Sequence, residues 1–554
     1  MRGLRGSVLV FAAVLACEGL AWDVEHDEVA QLVGENLPDE VRRFFGFDDF
    51  GVLMANCHFP DGYEWERPGK SRLRGLEDVE RQVGARDAAL ILAHGFKPGN
   101  WLHREEARGV MMGLLARAFA EGARRRAAFY VSVISHQVSD ESALNHSPLL
   151  QFVQHADYDG VEFGLRKVEE RAKNVFGFRS DGFVVNRVRE KLRGFTPQKP
   201  SGTFEDEVFR FVTDAVRQAA SVAEKEGAIA FGSPGEARET LADLVSMQVR
   251  TVVNMVWAAW KNRSADAPLP DAGFAARCER EMDEIARTID PSKQAVFATV
   301  FDAARNPAAP KGVVGVVCEP YAMFSRGRTS YVGRLLAGMC AGTLRANGFA
   351  VRGVSYFAAE RDGLPEPSEV PALIFFTGGT GSACQDASAE MAARLRAYRD
   401  RGGRLLLVGG SDARDISGFA GSMRMLPNGE GPTTSKWFRQ EAGDVLRMSV
   451  ADAEGKRLLG GPHRFVRDPN IEGFCKPVCR VEIVPGKGVE PLVILDNGVR
   501  KAVVAGRRGN VTWAPAYLLS PWLLTPGPAR PDFSEPRLDA FGEKALTVLL
   551  QGKE

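Results

Sequence analysis

The chain changes texture once, at Asn306-Pro-Ala-Ala-Pro310, and that break limits its fold more than any other feature. Before it, apolar residues recur three and four apart. Gly109-Val-Met-Met-Gly-Leu-Leu-Ala-Arg-Ala-Phe-Ala120 and Leu244-Val-Ser-Met-Gln-Val-Arg-Thr-Val-Val-Asn-Met-Val-Trp257 show the spacing of buried or amphipathic helices. After it, short apolar runs at Gly312 to Cys318, Val351 to Phe357, Ala372 to Thr377 and Arg404 to Val408 alternate with helical stretches near Tyr331 to Asn347 and Ala387 to Arg401. Strands separated by helices of that length imply crossover connections and a parallel sheet covered on both faces. Further strand-like runs at Arg480 to Val484, Leu492 to Asp496, Ala502 to Ala505 and Val511 to Leu519 are expected to close this half with antiparallel structure. The predicted fold class is multidomain, an all-α half followed by an α/β half.

A chain of 554 residues exceeds one ordinary core, so several domains are expected. The division predicted is a signal peptide over 1–21, a helical domain over 22–263, a linker with a helix over 264–310, and an α/β domain over 311–554. Ser264 to Ala272, rich in Ala, Pro and Asp, is a linker by composition. With 45% hydrophobic and 26% charged residues the chain is globular rather than disordered. Lys plus Arg equals Asp plus Glu at 71 each, which excludes polyanion binding through bulk charge.

Arg2 and Arg5 precede the apolar run Val8 to Ala16, the pattern of an export signal. A cut after Gly19-Leu20-Ala21 exposes Trp22; a cut at Val14-Leu15-Ala16-Cys17 leaves a lipidated Cys17. The first is preferred, so the chain is expected to be exported, periplasmic or extracellular. No later run is long enough to span a bilayer, so no transmembrane segment is expected in the mature chain.

Seven of the eight histidines (His26, His58, His94, His103, His136, His146 and His155) lie within the first 155 residues, and only His463 lies beyond. Within that concentration stand two His-x-x-x-Asp pairs, His136/Asp140 and His155/Asp159, with His146 between them. Residues four apart share a helix face. A single such pair is ordinarily a surface feature; two pairs in a histidine-rich stretch make a ligand set for a metal such as zinc, which takes imidazole nitrogen and carboxylate oxygen.

Phe129-Tyr-Val-Ser-Val-Ile-Ser-His136-x-x-x-Asp140-x5-His146, followed by His155-x-x-x-Asp159, resembles the zinc-dependent phospholipase C and single-strand-specific nuclease superfamily. The resemblance covers roughly Trp22 to Arg263 and implies an all-helical domain with three clustered zinc ions that cleaves phosphate esters. It implies that Asp61 (in Phe59-Pro60-Asp61), His94, His136 and Asp140 hold one zinc, with His58 and His103 as alternatives to His94. It implies that His146, His155 and Asp159 hold a second. Asp140 then bridges to a third held by His26 and by the free α-amine and carbonyl of Trp22. Metal-activated water is the implied nucleophile, with Asp61 as the catalytic residue that orients or deprotonates it.

In the α/β half, the turns Thr377-Gly-Gly-Thr-Gly-Ser382 and Val408-Gly-Gly-Ser-Asp412 look like those of a class I glutamine-amidotransferase-like domain, a flavodoxin-like fold. Ser411 stands where that family has its nucleophilic Cys, and His463 is the one candidate base, so the domain is expected to be non-catalytic. Cys475 and Cys479 are either a disulfide or free thiols. The function expected is an exported zinc-dependent phosphoric ester hydrolase, phospholipase C-like, that meets phospholipid at a membrane surface and associates with itself through its α/β half. The alternatives are a single-strand nuclease with the same cluster, and a binding or scaffold protein whose metal is structural.

Overall fold

The computed structural model describes residues 25–61, 63–66, 69–72, 76–94, 105–141, 183–231, 234–271, 273–288, 298–318, 331–376, 387–409, 415–419, 422–425, 445–451, 459, 463–464, 481–484, 488–496, 501–519 and 536–551. It is a mixed α/β, multidomain architecture. The helical half contains α1 (Glu25–Asn36), α2 (Asp39–Phe44), α3 (Phe47–Ala55), a short 3-10 turn (Phe59–Asp61), α4 (Leu76–Ala93), α5 (Glu105–Ala120) and α6 (Arg124–Glu141). It continues with α7 (Phe183–Leu192), α8 (Phe204–Phe231), α9 (Pro234–Lys261) and α10 (Phe274–Thr288).

Helix α6 is the axis of this half, touching α1, α3, α4, α5, α8 and α9. Every residue from Ala127 to Asp140 is buried, so the helix has no solvent face. Its apolar members (Phe129, Tyr130, Val131, Val133, Ile134, Val138) supply the core, yet Ser132, Ser135, His136, Gln137, Ser139 and Asp140 are buried with them. Polar groups taken out of water cost stability unless each finds a partner. A core helix carrying six of them is shaped by something besides packing.

The helical half is not purely α. Strands β1 (Tyr63–Glu66) and β2 (Gly69–Arg72) form an antiparallel hairpin directly after Asp61, with Tyr63 opposite Arg72 and Glu66 opposite Gly69. The alternation in Tyr-Glu-Trp-Glu is a period of two, too short a run to stand out against the helical pattern around it.

The stretch expected to be a linker is laid along α5. Ala267 is buried and its carbonyl accepts from Arg117 Nε at 2.7 Å. Gly109 and Gly113 make room for it: a Cβ on Gly113 would stand 2.6 Å from the Pro268 carbonyl oxygen. Helix α10 then packs on α8 and α5. The composition of Ser264 to Ala272 reads as a linker, and its prolines pre-set an extended path that seats on a glycine-lined groove.

Beyond α11 (Ala298–Phe301) come β3 (Val313–Cys318), α12 (Tyr331–Ala346), β4 (Ala350–Ser355), α13 (Tyr356–Asp362), β5 (Ala372–Phe376), α14 (Ala389–Asp400) and β6 (Arg404–Val408). The strand expected to reach Phe357 ends at Ser355, whose side chain caps α13 by accepting from Ala358 N. The rest comprises β7 (Met423–Met425), β8 (Val445–Val450), β9 (His463–Arg464), β10 (Val481–Ile483), β11 (Glu490–Asp496), β12 (Lys501–Arg508), β13 (Val511–Ala514) and α15 (Ala540–Gln551). The sheet runs β4-β3-β5-β6-β13-β12-β11-β8-β9, with β10 attached to β12 and β7. Its first five strands are parallel, including β13 against β6, where antiparallel structure was expected; the antiparallel part begins at the β13–β12 pairing. β13 is buried at all four positions, as a strand inside a covered parallel sheet requires.

Candidate metal centre

The end of α3 and the turn that follows it, Asn56 to Phe59, are fastened to α6 at three heights. Ser132 Oγ donates to the Leu53 carbonyl at 2.5 Å, His136 Nδ1 meets the Cys57 carbonyl at 2.5 Å, and the Phe59 ring sits edge-on to Phe129 with centroids 4.8 Å apart. These contacts lay the end of α3 and the turn after it along α6 from Phe129 to His136. Helix α1 approaches the same place, and His26 Nδ1 lies 2.7 Å from Ser139 Oγ.

His26, His136 and Asp140 converge, all buried, with one ligand atom from each inside a 4.8 Å span. His26 Nε2 is 3.2 Å from Asp140 Oδ1, and His136 Nε2 is 2.9 Å from Asp140 Oδ2. Ligand atoms around a tetrahedral zinc stand roughly 3.3 Å apart, given bonds of about 2.0 Å, so these spacings suit a shared cation.

The hydrogen bonds behind the rings make the case stronger. Ser139 Oγ donates its proton to the His136 carbonyl at 2.9 Å, so toward His26 it can only accept, and His26 Nδ1 carries the hydrogen. A carbonyl likewise only accepts, so His136 Nδ1 donates to Cys57. In each ring Nε2 therefore faces a carboxylate oxygen. Two lone pairs against one carboxylate repel until a proton or a metal ion stands between them. A proton is disfavoured at His26: burial, and after it the neighbouring His136 imidazole, push its pKa down to about 4 against the pull of Asp140. A metal-binding histidine ordinarily donates its other nitrogen to a carbonyl or hydroxyl, the arrangement seen at both rings.

The local field favours a cation too. Asp140 and Glu141 end α6, whose last turn holds no basic residue, so a carboxylate adds to the negative end of the helix dipole. Gln248 of α9 satisfies one carbonyl of that end, donating to Ser139 at 3.2 Å.

The sequence-derived candidates divide clearly. His26, His136 and Asp140 come together. Asp61 ends the 3-10 turn that packs on α6. His94 is exposed at the C-terminal end of α4 and is outside the convergent group, whereas His58 is fully buried beside it. Its ring is edge-on to His26 at 5.4 Å and to His136 at 6.5 Å. Trp22, His103, His146, His155 and Asp159, like Ser411, Cys475 and Cys479, lie outside the described residues. Sequence reasoning missed Ser139 and the Cys57 carbonyl; a serine directly before the ligand Asp was the available signal for the first.

Apart from the group around Asp140, α6 holds a buried carboxylate site of another kind. Asp87 accepts from Tyr130 and Arg126 at 2.6 Å and from Arg86 at 2.8 Å, and Glu121 closes the network through both arginines. With its cations already supplied by the chain, this site anchors α4 to α6. Among the described residues no helix is long and apolar enough to cross a membrane. Comparison of the chain with protein-family models, with curated proteins and with solved structures finds no match.

Proposed function

We propose that the chain is an exported zinc-dependent phosphoric ester hydrolase with phospholipase C-like chemistry. The observation that carries this reading is the convergence of two imidazole Nε2 lone pairs on the two oxygens of one buried carboxylate. The His26 and His136 rings stack at 3.9 Å with 25° between their planes, so the lone pairs run nearly side by side. Imidazole nitrogen and carboxylate oxygen are donors that zinc takes, and His26, His136 and Asp140 would hold such an ion between them. Bound zinc supplies Lewis acidity toward a phosphoryl oxygen and acidifies water.

The chain's own groups do the rest. Ser139 and the Cys57 carbonyl hold the two rings in the ligand tautomer. Asp61, in the turn packed on α6, is assigned to orienting and deprotonating the attacking water. The sequence resemblance adds His146, His155 and Asp159 for a further zinc and the Trp22 amine beside His26, for about three ions per chain. The substrate class is a phospholipid or related phosphate ester, reached by transient contact with a membrane surface. The order β4-β3-β5-β6-β13 is the 2-1-3-4-5 order of flavodoxin-like folds, which supports an amidotransferase-like second half serving positioning and self-association.

The test is elemental analysis of gently purified protein, with parallel assays on phosphorylcholine esters and single-stranded DNA. Zinc in the protein and chelator-sensitive ester hydrolysis are expected. Absence of any transition metal would refute the reading, and cleavage of DNA alone would move the activity to the nuclease.

A further inference from the structure

We infer that the α/β half carries a ligand site of its own, a cavity at the amino-terminal edge of its parallel sheet that takes a carboxylate on a short apolar body, held through Lys311 and Arg404. The site shares no residue with the metal centre of the helical half. It also lies at the opposite end of the strands from the crevice where open α/β sheets ordinarily hold ligands.

The cavity encloses about 330 Å³, at the small end of the range for small-molecule pockets. Lys311 stands just before β3, Ala372 and Arg404 are the first residues of β5 and β6, and the last turns of α12 and α15 close the sides. Val314, Leu344, Phe349, Leu546 and Leu550 supply apolar walls. Both cations are held in place from the backbone. Lys311 N donates to the Gly348 carbonyl at 2.8 Å and its stem lies over Gly348, where a Cβ would stand 3.2 Å from Lys311 Cε; Arg404 N donates to the Pro371 carbonyl at 3.0 Å.

Charge decides what such walls hold. Among the described residues neither the Lys311 nor the Arg404 side chain has a carboxylate or hydrogen-bond partner. Nor are they spent on the helix ends beside them: Asn347 Nδ2 takes the Thr343 carbonyl at 2.9 Å, Phe349 N that of Leu344 at 2.9 Å, and Arg507 that of Leu549 at 3.2 Å. Arg507, whose pKa is lowered by burial and then by Arg404, adds to the positive field. One carboxylate shares the wall, Glu543, which accepts from Asn347 Nδ2 at 2.8 Å. Two cations against one carboxylate leave a single positive charge, which suits a monoanion better than a dianionic phosphate, and a guanidinium fork matches a carboxylate. The larger cavity of about 700 Å³ bordered by α7, α8 and α9 offers no such pair, since its Lys191 is matched by Asp243 at 2.8 Å and its Arg217 by Asp214 at 2.7 Å.

The experiment is calorimetric titration of the full chain with octanoate, with acetate, octylamine and octyl phosphate as comparisons, repeated on the double variant Lys311→Gln/Arg404→Gln and on Thr547→Trp. Saturable binding of octanoate is expected, with acetate and octyl phosphate each about tenfold weaker or more and octylamine without binding. Loss of both cations removes two charge-assisted hydrogen bonds and is expected to weaken octanoate about a hundredfold or more. Thr547 is an exposed position on the wall, and an indole there is expected to block the cavity. Melting of each variant shows that its fold is kept, and if the double variant fails that check Thr547→Trp decides alone. No saturable octanoate binding, equal binding of octylamine, or octanoate binding unchanged in the folded variants overturns the site. Acetate or octyl phosphate binding as tightly as octanoate overturns the ligand class.

Discussion

Ser139 and His26 are 113 positions apart in the chain, and the hydroxyl of one receives the ring proton of the other at 2.7 Å. Since the same hydroxyl donates to the His136 carbonyl, it settles which nitrogen of His26 faces Asp140. Ser139→Ala removes that control without touching a ligand. Metal affinity is expected to fall about 10–100-fold with stability reduced by about 1–2 kcal/mol. Chelator competition and denaturant melts check the two effects separately.

Asp140→Asn is expected to act with opposite signs on two properties. Its amide nitrogen can donate to an Nε2 lone pair where the carboxylate could only repel it, so the metal-stripped variant should melt above the stripped native protein. Loss of the bridging anion should abolish tight metal binding and with it ester hydrolysis. A stripped variant less stable than the stripped native chain would count against lone-pair repulsion in the empty group.

Acid should destabilise the metal-stripped protein in a defined window. His26 takes a proton near its ordinary value of 6.5 when unfolded, but only at about 4 when folded, because burial and the His136 imidazole hold it down. Between those values the unfolded state binds more protons, so stability is full above pH 6.5 and falls as pH drops toward 4. The loss expected from this one group is about 3 kcal/mol. Denaturant titrations across that range measure it, and His26→Gln should flatten the slope.

Asp87→Ala leaves Arg126 and Tyr130 of α6 without the buried carboxylate that both contact, at a cost of about 3–5 kcal/mol. Because this network lies toward the other end of α6 from Asp140, zinc affinity of the folded fraction should stay within a few fold of native. A large affinity change would show that the anchoring of α4 to α6 also sets the metal geometry.

The face of α6 that carries His136 and Asp140 was legible because a four-residue spacing and a helical period are local properties of Phe129 to Asp140. Its partners were legible only in part: His26 came through the family resemblance, whereas the Cys57 carbonyl and Ser139 join it through the packing of α1, α3 and α6, which no spacing along the chain encodes. Family spacing sought a histidine after Asp61 and so favoured His94, which stands exposed at the end of α4, while packing of the Asn56 to Phe59 turn buries the histidine before it. The hairpin at Tyr63 and the seating of Pro268 on Gly113 were hidden for related reasons, one being too short to show a period and the other depending on a groove 150 residues away in sequence. In the second half, strand positions followed from β-branched runs, but the direction of β13 depends on which strand it joins.

That direction has a consequence for how the protein is made. Strand β6 ends at Val408, and its parallel neighbour β13 begins only at Val511, so one edge of β6 waits for about a hundred residues of intervening chain. During synthesis at roughly 5–20 residues per second, the nascent sheet exposes Leu405, Leu406 and Leu407 along an unpaired edge for several seconds. The β7 to β12 segment that emerges meanwhile belongs to the antiparallel side and reaches β6 only through β13. The interval before Val511 to Ala514 leaves the ribosome is therefore when this chain is most exposed to mispairing and most in need of a holding chaperone.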